Sequence, residues 1–106
     1  MQRDVLFSEK EDELIARIGC DIDHHSAKPM REKIDNKLFE TKPRMLTIDF
    51  SAVGFMDSSG LGLILGRVEK ASTLGISVRL TGLSPTLMKL VRLAGIERVK
   101  NLTVTR

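Results

Sequence analysis

The sequence has 106 residues, a length that accommodates one domain. Hydrophobic residues make up 42% and charged residues 29%, which is typical of a folded globular protein and unlike a disordered one. The 17 basic and 14 acidic residues alternate along the chain without a basic block, and this argues against a nucleic-acid-binding surface.

Two short apolar runs, residues 4–8 and 13–19, are separated by the polar stretch EKED. Such a pair predicts an antiparallel hairpin at the edge of a sheet. From Ser26 the apolar period changes to that of a helix, with an inner face formed by Ala27, Met30, Ile34 and Leu38. Because proline is tolerated only in the first turn, Pro29 places the start of this helix within a few residues before it.

Three more strands alternate with two helices in the rest of the chain. Alternating apolar residues predict strands at residues 46–50, 76–80 and 99–104. A helix that ends before Gly75 is predicted by the spacing of Leu61, Ile64, Leu65, Val68 and Ala71. Ser84 and Pro85 predict the N-cap and first position of the next helix, which ends at Gly95. Its apolar face contains Leu87, Leu90, Val91 and Ala94.

The predicted order is β-β-α-β-α-β-α-β. Alternation of strand and helix implies parallel strands joined by right-handed crossovers, whereas the opening hairpin makes the sheet mixed. The sequence therefore predicts a compact α/β domain, with a sheet of about four to five strands and helices packed against it.

The stretch FMDSSGLG, residues 55–62, follows the strand that ends near residues 50–53. It is expected at the carboxyl edge of the sheet, where α/β proteins bind ligands and partners. Ser58 or Ser59 is well placed to cap the following helix, and Asp57 is an alternative cap. One cap needs one hydroxyl, so capping alone does not explain two adjacent serines.

Three known site patterns fit this turn poorly. A nucleophile elbow requires Gly-x-Ser-x-Gly, but Met56 stands where the first glycine belongs, and both histidines precede the serines. A Walker-type loop requires Gly-Lys-Ser/Thr, and no lysine follows Gly62 before Lys70. Gly60, Gly62 and Gly66 imitate a dinucleotide fingerprint without its matching acidic residue.

Phosphorylation of a serine in the turn fits better. A phosphoserine adds about −1.5 to −2 charges. A helix N-terminus favours that charge by ~0.3–1 kcal/mol, and the neighbouring Asp57 opposes it by a comparable amount. The fold should survive, but a partner packed on the turn would have to bury an unpaired dianion. The turn therefore favours a phosphorylation-controlled binding switch.

Other candidate chemistry in the sequence is sparse. His24 and His25 are adjacent at a helix start and lack further His or Cys partners, so we expect no metal site. Cys20 can form no internal disulfide, and we interpret it as the end of an apolar strand rather than a nucleophile. No stretch has the length of a signal peptide or membrane span, which predicts a cytoplasmic protein. The four aromatic residues are expected to be buried: Phe7, Phe39, Phe50 and Phe55.

The stretch FMDSSGLGLILGR resembles the anti-sigma-factor antagonists of endospore-forming bacteria, as do IDHHSA at residues 22–27 and LSPTLMKLVRLAGI. These antagonists belong to the sulfate-transporter and anti-sigma-antagonist (STAS) domain class, and the resemblance covers nearly all of residues 1–106 as a single domain. The Asp-Ser-Ser-Gly-Leu-Gly turn is specific for the class, and Asp-His-His indicates its sporulation branch. Members usually continue into another C-terminal helix beyond the position where this sequence ends.

The resemblance implies a binding protein without catalytic role, cofactor or metal. Its unphosphorylated form would bind an anti-sigma factor that is also a serine kinase, and so free a sporulation sigma factor. The kinase would use ATP to phosphorylate Ser58, and a metal-dependent serine phosphatase would remove the phosphate. The expected partner-binding residues are Asp23, His24, Met56, Asp57, Ser59, Gly60, Leu61 and Gly62. For Met56, a place in the core is an equal alternative.

Two alternatives stay open. One is a small anion or nucleotide binder at the Gly60–Gly62 helix N-terminus, which Asp57 disfavours. The other is a scaffold of the same fold that is never phosphorylated. Gly62 also has two explanations, because a glycine in the first turn costs roughly 0.5–1 kcal/mol relative to alanine. It indicates close approach by a partner, or tight packing against residues 23–26 of the same chain.

Overall fold

The computed structural model describes residues 4–105, and its elements follow the predicted order. They are β1 (Val5–Lys10), β2 (Glu13–Ile18), α1 (His24–Thr41), β3 (Met45–Asp49), α2 (Ser58–Thr73), β4 (Ser77–Thr81), α3 (Pro85–Leu93) and β5 (Leu102–Val104). A short 3-10 helix, Ile96–Arg98, lies between α3 and β5.

The five strands form one sheet in the order β1-β2-β3-β4-β5. Strand β1 pairs with β2 in antiparallel fashion, and every other neighbouring pair is parallel. This confirms the predicted α/β fold with a mixed sheet. Because the strands from β2 onwards are parallel, the loops that precede α1 and α2 both emerge at the carboxyl edge of the sheet.

One face of the sheet carries the core. Leu14, Leu46 and Val78 are paired in register across β2, β3 and β4, and all three are fully buried. The helices pack on this face with Met30, Ile34, Leu38, Ile64, Val68, Ala71, Leu87 and Val91. Together these contacts hold the starts of α1 and α2 side by side above the sheet edge. Among the described residues, no helix is long and apolar enough to cross a membrane.

The opposite face of the central strands is polar. Glu13 Oε2 accepts hydrogen bonds from Thr47 Oγ1 and from Arg79 Nη2, the latter at 2.5 Å. The pKa of Glu13 lies below its ordinary value of 4.5, mainly because the Thr47 hydroxyl donates to the carboxylate. Partial burial raises this pKa, and the Arg79 guanidinium lowers it further. This network joins three neighbouring strands through one carboxylate.

Several local predictions are wrong. Leu65, assigned to the apolar face of α2, is exposed because it lies about 100° around the helix from the buried Ile64. The last strand begins at Leu102 rather than at residue 99, since Asn101 has a positive φ of 56° in a turn. Phe39 is exposed too, with the Lys70 Nζ 5.7 Å from its ring centroid.

Candidate functional site

The loops before α1 and α2 are joined by backbone hydrogen bonds. Ile22 and Met56 form an isolated parallel bridge. The N–H of Ile22 donates to the carbonyl of Phe55 at 3.0 Å, and the N–H of Asp57 donates to the carbonyl of Ile22 at 3.1 Å. The strand pairing of the sheet thus extends, through this bridge, up to the residues that start both helices.

Asp21 joins the same two loops through its side chain. Its Oδ1 accepts from the N–H of Gly54 at 2.9 Å and from the N–H of Phe55 at 3.1 Å. Backbone and side-chain bonds therefore hold the two loops together. As a result, the loops that lead to Asp23 and to Ser58 are fixed to each other at the sheet edge.

Asp23 is the N-cap of α1 and forms a capping box with Ser26. Its Oδ1 accepts from the N–H of His25 at 2.9 Å and of Ser26 at 2.8 Å, and the N–H of Asp23 donates to Ser26 Oγ at 3.0 Å. These bonds, above all the one from the Ser26 N–H, hold the pKa of Asp23 below its ordinary 3.8. Asp23 is therefore an exposed carboxylate at neutral pH.

Asp57 is the N-cap of α2, and the prediction that Ser58 or Ser59 caps this helix is wrong. Asp57 has an extended backbone, and its Oδ1 accepts from the N–H of Ser59 at 2.7 Å. A carboxylate suits this position because it satisfies a free N–H and faces the positive end of the helix dipole. Among the described residues, neither serine side chain makes a hydrogen bond. Ser58 is exposed and Ser59 is half-buried.

Both helix N-termini therefore already hold a carboxylate. Asp23 accepts from two first-turn amides of α1, and Asp57 accepts from that of Ser59 in α2. A phosphate placed at either helix end would meet a fixed negative charge beside the remaining amides. This disfavours the alternative of an anion or nucleotide site at the Gly60–Gly62 helix N-terminus.

Met56 and Gly60 lie inside the domain. Met56 is 3% exposed, and Gly60 is buried against it. A Cβ on Gly60 would lie 2.7 Å from Met56 Sδ and 2.8 Å from Met56 Cβ. Only glycine lets α2 begin this close to Met56. These two residues, predicted to contact a partner, thus shape the turn from within.

The other predicted partner-binding residues reach the surface. Asp23, His24 and Gly62 are exposed, whereas Asp57, Ser59 and Leu61 are half-buried. A Cβ on Gly62 would have no neighbouring heavy atom within 4 Å. The alternative that Gly62 packs tightly against residues 23–26 is therefore wrong, and its surface is open.

An apolar groove of about 320 Å³ borders the turn on the side of α3. Phe55 and Leu93 line it and are 56% and 77% exposed, so the expectation that Phe55 is buried is wrong. Neither residue was predicted as part of the site. The exposure of Leu93 could have been predicted, because a leucine two positions after the buried Val91 falls on the opposite side of the helix.

Cys20 is exposed in a bend after β2 ends at Ile18, not at the end of a strand as expected. Partial desolvation of its sulfur raises the pKa of the thiol above 9.0, and the carboxylates of Asp4, Asp21 and Asp23 raise it further. The thiol is therefore protonated at neutral pH and is a poor nucleophile.

His24 and His25 face different grooves. His24 shares one with Ser59, between α1 and α2, whereas His25 shares another with Cys20. Their ring centroids are 5.9 Å apart in an edge-on arrangement. Within residues 4–105, no group of three or more His, Cys, Asp or Glu side chains is placed to hold a metal ion.

Comparison with known proteins identifies the class. The STAS domain family matches residues 5–105. The anti-sigma F factor antagonist of Lysinibacillus sphaericus is 30% identical over 83 residues, which span 78% of this chain and 71% of that protein. The anti-sigma-B factor antagonist of Bacillus subtilis (strain 168) is 29% identical over 93% of this chain and 89% of that protein. The chain belongs to the STAS domain family, among the anti-sigma-factor antagonists.

Solved structures of the anti-sigma factor antagonist SpoIIAA share the fold. Its unphosphorylated form has a TM-score of 0.73 and 24% identity, covering 96% of this chain and 87% of that one. Its phosphorylated form, from Bacillus, has the same TM-score with 25% identity, covering 96% and 91%. The present fold is thus equally similar to both forms of that protein.

Proposed function

We propose that this chain is an anti-sigma-factor antagonist controlled by phosphorylation of Ser58. Unphosphorylated, it binds an anti-sigma factor that is also a serine kinase, and this binding frees a sporulation sigma factor. The kinase transfers the γ-phosphoryl group of ATP to Ser58 Oγ and leaves ADP, and a metal-dependent serine phosphatase later hydrolyses the phosphoserine. In this scheme the chain is a cytoplasmic ligand and substrate without catalytic residues or cofactor.

The position of Ser58 carries the proposal. Ser58 is the first residue of α2, it is exposed, and Asp57 rather than a serine hydroxyl caps the helix. A kinase can therefore reach the Ser58 hydroxyl without breaking a hydrogen bond of the fold. Ser59 is less accessible, because it is half-buried toward α1.

The capping by Asp57 also explains why a phosphate would act on a partner. Its carboxylate already occupies the Ser59 N–H, so this amide is not available to a phosphate on Ser58. The phosphate would add a second anionic group to the turn with little compensation from the helix. A partner that covered the turn would then bury unpaired charge, which costs several kcal/mol.

The surroundings of Ser58 suit a protein partner. Phe55 and Leu93 offer an apolar groove in which a partner side chain could be buried, while Asp23 and Gly62 are exposed near the turn. Interfaces typically combine a buried apolar centre with a polar rim. The Asp-His-His stretch at residues 23–25 follows Ile22, which is bridged to Met56 two residues before Ser58, and this stretch supports the sporulation branch.

The decisive experiment is phosphorylation in vitro with the anti-sigma kinase of the source organism and ATP. Intact-mass measurement should show one phosphoryl group on the wild type and on Ser59→Ala, and none on Ser58→Ala. Binding of the same kinase should then be lost on phosphorylation. If Ser58→Ala were still modified, or if the phosphorylated chain bound equally well, the proposal would be wrong.

A further inference from the structure

We propose that a second groove, between the N-terminal halves of α1 and α2, binds an acidic segment of the anti-sigma factor. This inference rests on the proposed function and adds the chemistry of the partner. The groove encloses about 350 Å³. His24, Lys28 and Arg31 of α1 line one wall, and Ser59 and Gly62 of α2 line the other. We call it the basic groove.

Within the described part of the chain, the lysine and arginine of the basic groove form no ion pair. Helix α1 carries four lysine and arginine residues: Lys28, Arg31, Lys33 and Lys37. Lys33 pairs with Asp4 at 2.5 Å, and Lys37 pairs with Glu40 at 3.3 Å. Among residues 4–105, Lys28 and Arg31 have no carboxylate oxygen within 4.0 Å, and no acidic residue lines the groove. Two unpaired cations thus face an open cavity.

The helix dipole does not explain this charge. It disfavours cations near the start of α1, yet Lys28 follows directly after the first turn. Lys28 and Arg31 are three residues apart, so they lie on one face and repel each other. Glu32 and Asp35 lie one turn further along α1, but among the described residues neither forms an ion pair with these cations, so their charge points to an external partner.

Arg67 pairs with the carboxylate that lies one turn after Arg31 in α1. The residue is 3% exposed, and its Nε lies 2.6 Å from Asp35 Oδ1. Burial first of all lowers the pKa of Arg67, Asp35 raises it, and the nearby Arg31 lowers it further. Asp35 is thus paired with Arg67, whereas Arg31 has no carboxylate oxygen within 4.0 Å among the described residues.

The shape of the groove suits carboxylate side chains. Gly62 contributes no side chain, and the space above it is empty to 4 Å, so an extended segment can approach α2 closely. The Ser59 hydroxyl is not used as a cap and can donate a hydrogen bond to a carboxylate. A guanidinium such as that of Arg31 can bind a carboxylate through two N–H groups.

Carboxylates fit this groove better than the phosphates of a nucleotide. Phosphates are commonly held by free amides at a helix N-terminus. Here the carboxylates of Asp23 and Asp57 take three of those amides, at the starts of α1 and α2, and repel a phosphate. The groove offers side-chain cations and one hydroxyl, which is the chemistry that an Asp- or Glu-rich protein segment requires.

The test compares two double variants with the same change in net charge. Lys28→Glu/Arg31→Glu reverses the basic groove, whereas Arg98→Glu/Lys100→Glu reverses exposed cations near the start of β5, at the other edge of the sheet. Stopped-flow and calorimetry measure binding of the source organism's anti-sigma factor from low to high salt. We expect the groove variant to associate roughly tenfold more slowly at low salt and to lose much of the salt dependence. The control should keep both properties.

Folding provides an independent readout. The groove variant should melt within roughly 5 °C of the wild type, because the helix dipole favours acids near the start of α1 while the two glutamates repel each other and Glu32 and Asp35 one turn further along. Weaker binding by a protein of nearly unchanged stability identifies the groove as a contact surface. Equal losses in both double variants, or wild-type binding by the groove variant, would overturn the inference.

Two further measurements separate the possible failures. ATP and inorganic phosphate are titrated into the free protein, and saturable binding that disappears in the groove variant would reassign the groove to small anions. Ser58→Asp is measured in parallel. If it weakens binding while the groove variant does not, only the basic groove is refuted. If the wild type does not bind the anti-sigma factor at all, the proposed function and this inference both fail.

Discussion

Gly60 lies so close to Met56 that a Cβ on Gly60 would be 2.7 Å from Met56 Sδ and 2.8 Å from Met56 Cβ. Met56 is itself buried in the bridge with Ile22 and cannot withdraw into solvent. We therefore expect Gly60→Ala to lower the free energy of unfolding by about 1–3 kcal/mol through overpacking. Urea denaturation measures the change, and wild-type stability would show that the turn can relax.

Gly62→Ala is the matched substitution two residues further along the same helix. A methyl group on Gly62 meets no atom within 4 Å, so alanine should raise the free energy of unfolding by roughly 0.5–1 kcal/mol. The same methyl group would protrude beside Ser58 and weaken binding of the anti-sigma factor. Thermal melts measure the expected gain in stability of this variant, and a binding assay measures the expected loss of affinity. A loss of stability with unchanged affinity would contradict the assignment of Gly62 to the interface.

The architecture could be predicted because local signals and periodicity agree along most of the chain. Ser84 and Pro85 mark the start of α3 as predicted, and Gly75, with a φ of 72°, follows the end of α2. Periodicity is less informative for single positions. Leu65 matches an i, i+4 pattern with Leu61 yet is exposed, because only packing decides how far the buried stripe of a helix extends.

The position of the site could be predicted from the sequence, but its hydrogen bonds and its helix cap could not. The DSSG turn is a contiguous sequence motif. In contrast, the hydrogen bonds that Asp21 accepts from the amides of Gly54 and Phe55 join residues more than thirty positions apart. No pattern along the chain indicates such a contact. The cap was also ambiguous, since Asp57 and Ser58 are both good N-cap residues and one residue's difference in the helix start decides between them.

Substitutions of Ser58 separate loss of the hydroxyl from gain of charge. Ser58→Ala should bind the anti-sigma factor constitutively, because it cannot be phosphorylated and the surface stays neutral. Ser58→Asp should bind poorly, although its single charge imitates only part of a phosphate. Calorimetric titration of both variants checks this prediction. Wild-type affinity in the aspartate variant would mean that charge does not exclude the partner.

Phosphorylation should leave the fold intact and lower the melting temperature slightly. Repulsion by Asp57 and attraction by the helix dipole are each about 1 kcal/mol, and the Ser59 amide is already engaged, so repulsion should prevail. In a domain of this size the net change corresponds to a decrease of up to roughly 5 °C. Circular dichroism measures it. Loss of secondary structure on phosphorylation would instead indicate a switch that works by unfolding.

Acid should destabilise the domain partly through Glu13. Its pKa in the folded state lies below 4.5, so in the window just under pH 4.5 the unfolded chain binds more protons than the folded one. Stability from this group is present above that window and is lost as the pH falls through the folded-state pKa. Glu13→Gln should therefore show a flatter decline of stability below about pH 4.5. Denaturant unfolding at several pH values compares the two proteins, and parallel curves would exclude Glu13 as a contributor.

The cap and the charge of Asp57 can be separated by two substitutions. Asp57→Ala removes the acceptor of the Ser59 N–H, and we expect it to lower the free energy of unfolding by about 0.5–2 kcal/mol. Asp57→Asn keeps an oxygen at that position and should lose much less stability.

Asp57→Asn also removes the negative charge beside Ser58, so introducing Ser58→Asp should destabilise the Asp57→Asn background less than the wild type. Urea denaturation of the four proteins of this cycle measures the coupling between the two residues. If Ser58→Asp has the same effect in both backgrounds, Asp57 does not oppose charge on Ser58, and the small destabilisation expected on phosphorylation must have another source.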